Sequence, residues 1–207
     1  MEHDEREAAY DAREYYWETD PNDLAEETAE PVFPQNAGGT LIGLGAGEGR
    51  DAVFFAEEGF DVYAMDVSPN GLAKTNRLAE KRGVTIETIE ADLNDFVFPE
   101  PMDVVYSIGT VQYLQPENWK RGFERFRRGT ALGGVHVIFA FVDHPSVPTP
   151  PDWTESEFFY AVGELRGYYA DWEVLDGREM ILEDDSGGEA HDHAAEVLVV
   201  RNPDEPG

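Results

Sequence analysis

The chain of 207 residues has no cysteine and few basic residues. The lack of cysteine excludes disulfide bonds and metal sites built from thiolates. Lysine and arginine together number 15, against 44 aspartates and glutamates, which gives a formal net charge of -29. Because phosphate groups are bound by positively charged surfaces, this balance argues against nucleic acid as a partner.

Long apolar runs are absent as well. The longest run, residues 135–142, includes His136 and is much too short to cross a bilayer. Residues 1–5 are acidic, whereas a secretory signal begins with basic residues and continues with apolar ones. We therefore expect a cytoplasmic protein without a membrane partner, while the composition makes no prediction about oligomeric state.

The excess of acidic residues is distributed along the whole sequence. Such a charge repels itself at low salt, whereas at about 1 M salt the Debye length is only about 3 Å and the repulsion is largely screened. The pattern predicts a halophilic protein that works in a salt-rich cytoplasm. An acidic surface that binds a basic partner is the alternative, which the even distribution of the acids does not favour.

Three regions follow from the pattern along the chain. Residues 1–38 are predicted to form a helical cap, with a helical pattern over residues 4–30. Residues 39–201 alternate between strand and helix patterns and are predicted to be one domain, in which residues 155–169 are expected to be helical. Residues 202–207 are predicted to be a disordered tail.

The alternation predicts an α/β fold with a doubly wound, Rossmann-like sheet of seven strands, mostly parallel. The first five strands are predicted at residues 40–44, 61–65, 85–90, 102–107 and 135–142. Residues 172–182 and 191–200 form the last two strands, and the link between them is rich in turn residues. These two strands are therefore predicted to pair as a C-terminal antiparallel hairpin.

A glycine-rich turn carries the main chemical signal. Residues 40–44 lead into Gly45, Gly47 and Gly49, and a helix is predicted to begin at Asp51. Glycine allows a sharp turn and the close approach of a ligand, and the N-terminus of the following helix favours a carboxylate or phosphate. The sequence therefore predicts a cofactor site at this turn.

An acid at the end of the next predicted strand strengthens this hypothesis. In nucleoside-binding α/β folds such an acid accepts hydrogen bonds from ribose hydroxyls, and here it is Asp66. Capping of the helix that begins at Pro69 is the alternative role. Because Ser68 can supply that cap, ribose binding is favoured for Asp66.

The spacing of the glycines separates two classes of cofactor. The dinucleotide fingerprint G-x-G-x-x-G needs its last glycine at position 50 or 48, depending on the register, and these positions are Arg50 and Glu48. The observed G-x-G-x-G spacing instead resembles the first motif of class I S-adenosylmethionine-dependent methyltransferases. A NAD-dependent oxidoreductase is thus the less favoured alternative.

The resemblance to class I methyltransferases covers residues 38–142. Residues 61–66 are similar to the family's second strand with its ribose-binding acid, and residues 90–94 are similar to the turn that frames the adenine. Residues 102–114 are similar to the fourth-strand segment, which faces cofactor and substrate. The resemblance implies S-adenosyl-L-methionine as cofactor, bound by Gly45, Gly47, Gly49, Asp66, Asp92, Leu93 and Ser107.

A narrower resemblance points to the tellurite-resistance, or TehB-like, group of methyltransferases. It rests on residues 49–51, 163–175 and 191–193. One departure is Gly43, which occupies the place where the family usually has an acid that orients the amino-acid end of the cofactor. A second is the absence of arginine between Arg178 and Arg201, where members of the group can carry a His-Arg pair.

His191 and His193 are the candidate catalytic residues. They lie two positions apart, so on a strand they share one face, and a histidine accepts a proton near neutral pH. A surface pair in an acidic hairpin is an equally weighted alternative. No metal site is expected, because Asp192 between them would point to the opposite face.

Together these features predict a methyltransferase that acts on a small-molecule nucleophile. A non-catalytic module that binds S-adenosyl-L-methionine is the alternative, with Gly43 as the mark of lost activity. Tyr15, Tyr16 and Trp17 either cover the cofactor, since aromatic faces suit a sulfonium cation, or pack as one side of a helix.

Overall fold

A single sheet organises the protein, whose computed structural model describes residues 3–32, 38–184 and 190–203. Seven strands follow one another in the spatial order β3-β2-β1-β4-β5-β8-β7, and a two-residue strand, β6, pairs with β5 off this path. The strands are β1 (Thr40–Leu44), β2 (Asp61–Asp66), β3 (Ile86–Glu90), β4 (Met102–Ile108), β5 (Thr130–Asp143), β6 (Tyr160–Ala161), β7 (Glu173–Asp184) and β8 (His191–Arg201).

Strand directions confirm the predicted fold class. Strands β1 to β5 pair in parallel, and β8 runs antiparallel to both β5 and β7. The order reverses beyond β1, which creates the crevice at the carboxyl ends of β1 and β4 where open α/β sheets bind ligands. The eighth strand was not predicted, because two residues are too few to show an alternating pattern.

The described part of the chain has six α-helices, of which the first two precede β1 and the others lie between strands: α1 (His3–Asp11), α2 (Asp23–Val32), α3 (Arg50–Glu57), α4 (Pro69–Arg82), α5 (Trp119–Arg128) and α6 (Glu164–Gly167). The ends of α4 are those that the sequence predicts. Ser68 Oγ accepts a hydrogen bond from the Gly71 N–H at 2.9 Å, Pro69 occupies the first turn, and Gly83 ends the helix at φ 76°. No helix among these residues is long and apolar enough to span a membrane.

The N-terminal region is less helical than the pattern over residues 4–30 predicts. Residues 12–22 lie outside any helix, and Glu18 among them has a φ of 65°. The backbone N–H groups of Trp17 and Asn22 donate to the carboxylates of Glu48 and Asp51, at 2.9 and 2.7 Å. These tertiary hydrogen bonds replace helical ones, so the chain is divided into α1 and α2.

The helix predicted at residues 155–169 is also wrong. Only α6, a single turn, is helical there, and it follows β6. Tyr160 in β6 is fully buried and donates its hydroxyl to the Val111 carbonyl at 2.7 Å, while the Phe158 N–H donates to the Gln112 carbonyl at 2.8 Å. Docking against the turn after β4 therefore overrides the local helical preference.

The core has two parts, one on each face of the sheet. Neighbouring residues of β1 point to opposite faces: Leu41 belongs to the cluster with Phe55 and Val62, and Ile42 to the cluster with Phe123. Both faces are covered, as expected for a doubly wound sheet. Ligand-binding groups are consequently confined to the strand ends.

The predicted division of the chain into a cap, a domain and a tail stays a prediction. The structure adds detail at the tail and at the last hairpin. In the tail, Asn202 donates its backbone N–H to the Gly134 carbonyl at 2.8 Å, and residues 204–207 lie outside the described residues. The centre of the turn that links β7 to β8, residues 185–189, also lies outside them.

Candidate functional site

The glycine-rich turn links β1 to α3 at the carboxyl edge of the sheet. The N–H groups of Gly45 and Ala46 both donate to the Met65 carbonyl, at 2.8 and 2.9 Å, which holds the turn against the end of β2. Gly45, Gly47 and Gly49 have φ values of 71°, 55° and 88°. All three lie in the left-handed region, so the turn depends on glycine.

The requirement of the turn for glycine is clearest at Gly49. It is the N-cap of α3, and a Cβ placed on it would lie 2.8 Å from the Thr75 Cα of the neighbouring α4. The first turn of α3 therefore approaches α4 closely, and its free N–H groups face the same edge as the turn. A ligand anion at this edge would be stabilised by the helix terminus.

Asp66 ties the turn to the end of β2. Its Oδ2 accepts a hydrogen bond from the Gly47 N–H at 2.7 Å and its Oδ1 accepts one from the Ser68 N–H at 2.8 Å. Burial raises the pKa of the Asp66 carboxyl, while these two hydrogen bonds lower it. Each oxygen retains capacity for a second hydrogen bond, as a ribose hydroxyl would require.

Ser107 lies at the end of β4, directly opposite Leu44 of β1. Its side chain is buried, and its Oγ has no hydrogen-bond partner within the described residues. A buried hydroxyl without a partner is uncommon in a native fold, and this oxygen can accept or donate a hydrogen bond to a ligand. Together with the turn and Asp66, Ser107 forms what we call the cofactor edge.

The two other predicted cofactor residues follow β3. Asp92 is exposed, and its Oδ1 accepts hydrogen bonds from the Asn94 backbone and side chain at 2.8 and 2.9 Å. Leu93 is buried in the core cluster beside Met65, and its carbonyl accepts a hydrogen bond from Arg125. The structure thus brings Asp92 to the sheet edge and turns the Leu93 side chain into the core.

The N-terminal segment lies over the glycine-rich turn. A Cβ on Gly47 would lie 3.1 Å from the hydroxyl oxygen of Tyr10, and that oxygen accepts a hydrogen bond from Trp17 Nε1 at 2.8 Å. Arg6 stacks 4.6 Å above the Tyr113 ring, which follows β4. Helix α1 therefore reaches from the turn to the segment after β4.

A buried ion pair anchors this segment, and sequence reasoning missed it. Lys74 Nζ lies 2.6 Å from Glu48 Oε1 and donates to the Glu14 carbonyl at 2.5 Å. The second oxygen of Glu48 accepts the Trp17 N–H. Both side chains are almost fully buried, so Glu48 holds the segment in place. The scarcity of lysine was the available signal, because Lys74 is one of only three lysines.

His191 and His193 lie at the same edge of the sheet but on β8, two strands away from β4. The strand registers pair Ser107 with Ile138 and Ile138 with Leu198, so His193 lies five residues further along β8 than the level of Ser107. At about 3.4 Å per residue and about 4.8 Å per strand, the histidines are roughly 20 Å from the cofactor edge. Their Nε2 atoms face each other at 3.0 Å, and Asp152 Oδ1 lies 3.2 Å from the first and 3.5 Å from the second. The pair is therefore separate from the cofactor edge and faces a carboxylate from a distant loop.

Comparison with known protein families gives one match over most of the chain. A family model described as "Tellurite resistance protein TehB" matches residues 14–192. A protein of Haemophilus influenzae, named "Probable S-adenosyl-L-methionine-dependent methyltransferase TehB", is 30% identical over 139 residues, which are 67% of this chain and 48% of the relative. The chain thus spans about half the length of the curated relatives it matches.

Solved structures agree with the fold. The crystal structure of TehB from Haemophilus influenzae superposes with a TM-score of 0.80 at 26% identity, covering 90% of this chain and 64% of that one. The 1,6-didemethyltoxoflavin-N1-methyltransferase of Burkholderia thailandensis, solved with bound 1,6-didemethyltoxoflavin and S-adenosylhomocysteine, gives a TM-score of 0.70 at 16% identity, covering 97% of this chain and 86% of that one. At that identity the second likeness concerns the fold alone.

Proposed function

The chain belongs to the tellurite-resistance protein TehB family, and on that premise we propose that it transfers the methyl group of S-adenosyl-L-methionine to a small-molecule nucleophile. The observation that carries the proposal is the cofactor edge. There a turn of three left-handed glycines is hydrogen-bonded to the Asp66 carboxylate, and the buried Ser107 hydroxyl on the same edge has no partner among the described residues.

The donor set of the cofactor edge fits this cofactor. Backbone N–H groups at the start of α3 suit its carboxylate, and Asp66 suits its ribose hydroxyls. Asp92 and Leu93 are proposed to frame the adenine, as in the family motif, and the Ser107 hydroxyl would gain its missing partner. When bound, S-adenosyl-L-methionine supplies a methyl group on a sulfonium, which a nucleophile displaces in line.

The N-terminal segment is proposed to act as a cap that excludes water. Tyr10 and Trp17 are joined by a hydrogen bond and lie against Gly47. Aromatic faces at that position would favour a sulfonium cation. On this proposal residues 1–38 form the cap, residues 39–201 the methyltransferase domain, and only residues from 202 onward a tail.

The acceptor is proposed to bind on the β8 side of the sheet edge. Positioning the nucleophile supplies most of the rate gain, and a base is needed only for an acceptor that arrives protonated. His191 and His193 would accept that proton. The net charge of -29 favours a small molecule over nucleic acid, and it supports the proposal that the protein works in a salt-rich cytoplasm.

Calorimetry in molar KCl tests the cofactor. S-adenosylhomocysteine is expected to bind with measurable heat, and NADH is expected to give none. The opposite result would favour the NAD-dependent oxidoreductase and overturn the proposal.

Asp66→Ala tests the proposed site. The substitution is expected to weaken S-adenosylhomocysteine binding by more than tenfold, because it removes both the ribose acceptor and the hydrogen bond to the turn. Asp61→Ala, an exposed acid at the start of β2, serves as the matched control and should leave the affinity unchanged. An unaltered affinity in Asp66→Ala would remove this residue from the site.

The non-catalytic alternative is distinguished by turnover. Incubation with candidate thiol, amine, carboxylate and metalloid oxyanion acceptors is expected to release S-adenosylhomocysteine with at least one of them. Binding of the cofactor without release across all four classes would favour the non-catalytic module.

A further inference from the structure

Four side chains from three separate segments meet beside the last hairpin. They are Asp152 in the loop after β5, Asp184 at the end of β7, and His191 and His193 at the start of β8. One ligand atom from each lies within 4.8 Å of all the others. We call this group the His-Asp cluster, and it lies outside the cofactor edge.

Two carboxylates therefore accompany the histidines, although neither is the acid between them. Asp192 is exposed and pairs with Glu183 across the hairpin, as its alternation on the strand predicts. Asp184 lies directly opposite His191, and Asp152 is brought in by a loop almost forty residues earlier in the chain. The sequence-based expectation of no metal site considered Asp192 only.

The distances within the cluster are those of a tetrahedral metal site. A zinc ion with bonds of about 2.0–2.1 Å holds its ligand atoms about 3.3–3.4 Å apart. The two Nε2 atoms and Asp152 Oδ1 form a triangle with sides of 3.0, 3.2 and 3.5 Å, and Asp184 Oδ2 lies 3.5 Å from His193 Nε2. The triangle has the size of one tetrahedral face, and Asp184 lies toward the fourth corner.

We propose that the His-Asp cluster binds one divalent transition-metal ion of the zinc type. Imidazole and carboxylate ligands suit such an ion, and two carboxylates neutralise its charge. A cation also explains why two imidazole nitrogens and a carboxylate oxygen point at the same small volume. Protons alone can bridge only some of these contacts at a time, because a neutral imidazole carries one N–H.

The surroundings of His193 fit a ligand role. The residue is buried, and its ring packs 4.9 Å from the Phe141 ring, which fixes its orientation. Its Nδ1 has no hydrogen-bond partner within the described residues. A cavity of about 10 Å³ borders the residue beneath the loop of residues 143–150, which is room for one water molecule as the outer partner that a metal-bound imidazole usually has.

The His-Asp cluster lies apart from the cofactor edge, and its test does not depend on methyl transfer. A bound metal ion would occupy the imidazole nitrogens that were proposed above as proton acceptors, so the metal role would replace the base role of His191 and His193. Zinc binding is measured by calorimetry on the full chain in molar KCl with excess Mg²⁺, which occupies weak sites on the acidic surface. One equivalent of Zn²⁺ is expected to bind. His193→Ala and Asp152→Asn are each expected to weaken binding at least tenfold.

Two matched controls separate the cluster from the acidic surface. His144→Ala changes a histidine of the adjoining loop, and Asp192→Asn changes the neighbouring carboxylate; both should keep the affinity of the unmodified chain. Because Asp152 is exposed, its substitution should leave the apo melting temperature unchanged and isolate the loss of the ligand.

Three results would overturn the proposal. They are the absence of stoichiometric zinc binding, an equal affinity in all five proteins, and weak visible absorption of the Co²⁺-loaded chain. A four-coordinate Co²⁺ ion is expected to absorb strongly, whereas a six-coordinate ion absorbs weakly. Failure of zinc binding with intact S-adenosylhomocysteine binding would reject this inference alone and leave the proposed function standing.

Discussion

Gly43 is the residue that separates this chain most clearly from its family motif. It is buried in β1, two positions before the turn, where a family member usually carries an acid. A Cβ at this position would meet only the Ala46 Cβ, at the ordinary contact distance of 3.7 Å. The fold therefore leaves room for a Cβ at this position, and the backbone of the turn does not require a glycine here.

Gly43→Asp is expected to tighten S-adenosylhomocysteine binding severalfold, because the carboxylate would accept hydrogen bonds from the amino group of the ligand. The same substitution is expected to lower the melting temperature without ligand, since a buried carboxylate lacks a partner. Calorimetry and thermal unfolding measure the two effects. Gly43→Ala is the control for volume, and an equal gain in that variant would contradict an electrostatic cause.

The stability of the fold is expected to depend on pH through the single residue His136. It is fully buried in β5, with Nε2 2.6 Å from Thr130 Oγ1 and Nδ1 2.8 Å from the Tyr169 hydroxyl oxygen. Burial lowers the pKa of His136 to about 3, and the nearby charge of Arg127 acts in the same direction. The imidazole is therefore neutral in the folded protein at any pH near neutrality.

The direction of this pH dependence follows from the protons that His136 binds in the folded and in the unfolded chain. Between pH 6.5, the ordinary value, and about 3, the unfolded chain binds a proton at His136 and the folded chain does not, so stability falls as the pH falls. The slope from this residue is about 1.4 kcal/mol per pH unit well below pH 6.5. Denaturant unfolding of His136→Gln should lack this contribution between pH 7 and 5, whereas His144→Gln should retain it. A pH-independent difference between the chain and His136→Gln would contradict the assignment.

At the scale of elements, the N-terminal segment is fixed by the buried pair of Glu48 and Lys74. The pair connects the glycine-rich turn to α4, and both side chains also hold the backbone of residues 14–17. Tyr15 adds a hydrogen bond from its hydroxyl to the Lys74 carbonyl at 3.1 Å. The N-terminal segment and the turn are thus one packed unit.

Lys74→Met is expected to destabilise the fold by about 3–5 kcal/mol, because it leaves the Glu48 carboxylate buried without its cation. Residues 12–22 should also become accessible to limited proteolysis. Arg82→Met on the same helix is the control, since its exposed contacts with Asp20 and Glu57, at 3.8 and 3.7 Å, contribute less than about 1 kcal/mol. Equal losses in the two variants would show that the buried pair has no special role.

At the scale of the whole molecule, the net charge of -29 opposes the compact state. The melting temperature is expected to rise with KCl, most steeply up to about 1 M, where the Debye length has fallen to about 3 Å. Thermal unfolding from about 0.1 to about 2 M KCl measures the effect. An uncharged osmolyte at matched osmolality is the control, and an equal stabilisation by it would argue against charge screening.

The sequence by itself predicted the class of the sheet, the positions of its strands and the residues proposed for the cofactor edge. Turn glycines, a strand-end acid and alternating strand and helix patterns are local signals, so β1 to β5 and the C-terminal hairpin were predictable. The same locality explains the helix ends at Ser68 and Gly83, which depend on neighbouring residues only.

Tertiary structure alone decided the contacts between distant segments. The break between α1 and α2 depends on acids more than 25 residues away. The strand at Tyr160 depends on its pairing with β5 and on its contact with the turn after β4. Asp152 meets His191 for the same reason. Such pairings leave no periodic trace in one sequence, because the free energy that favours them comes from burial and hydrogen bonding formed only once the sheet has assembled.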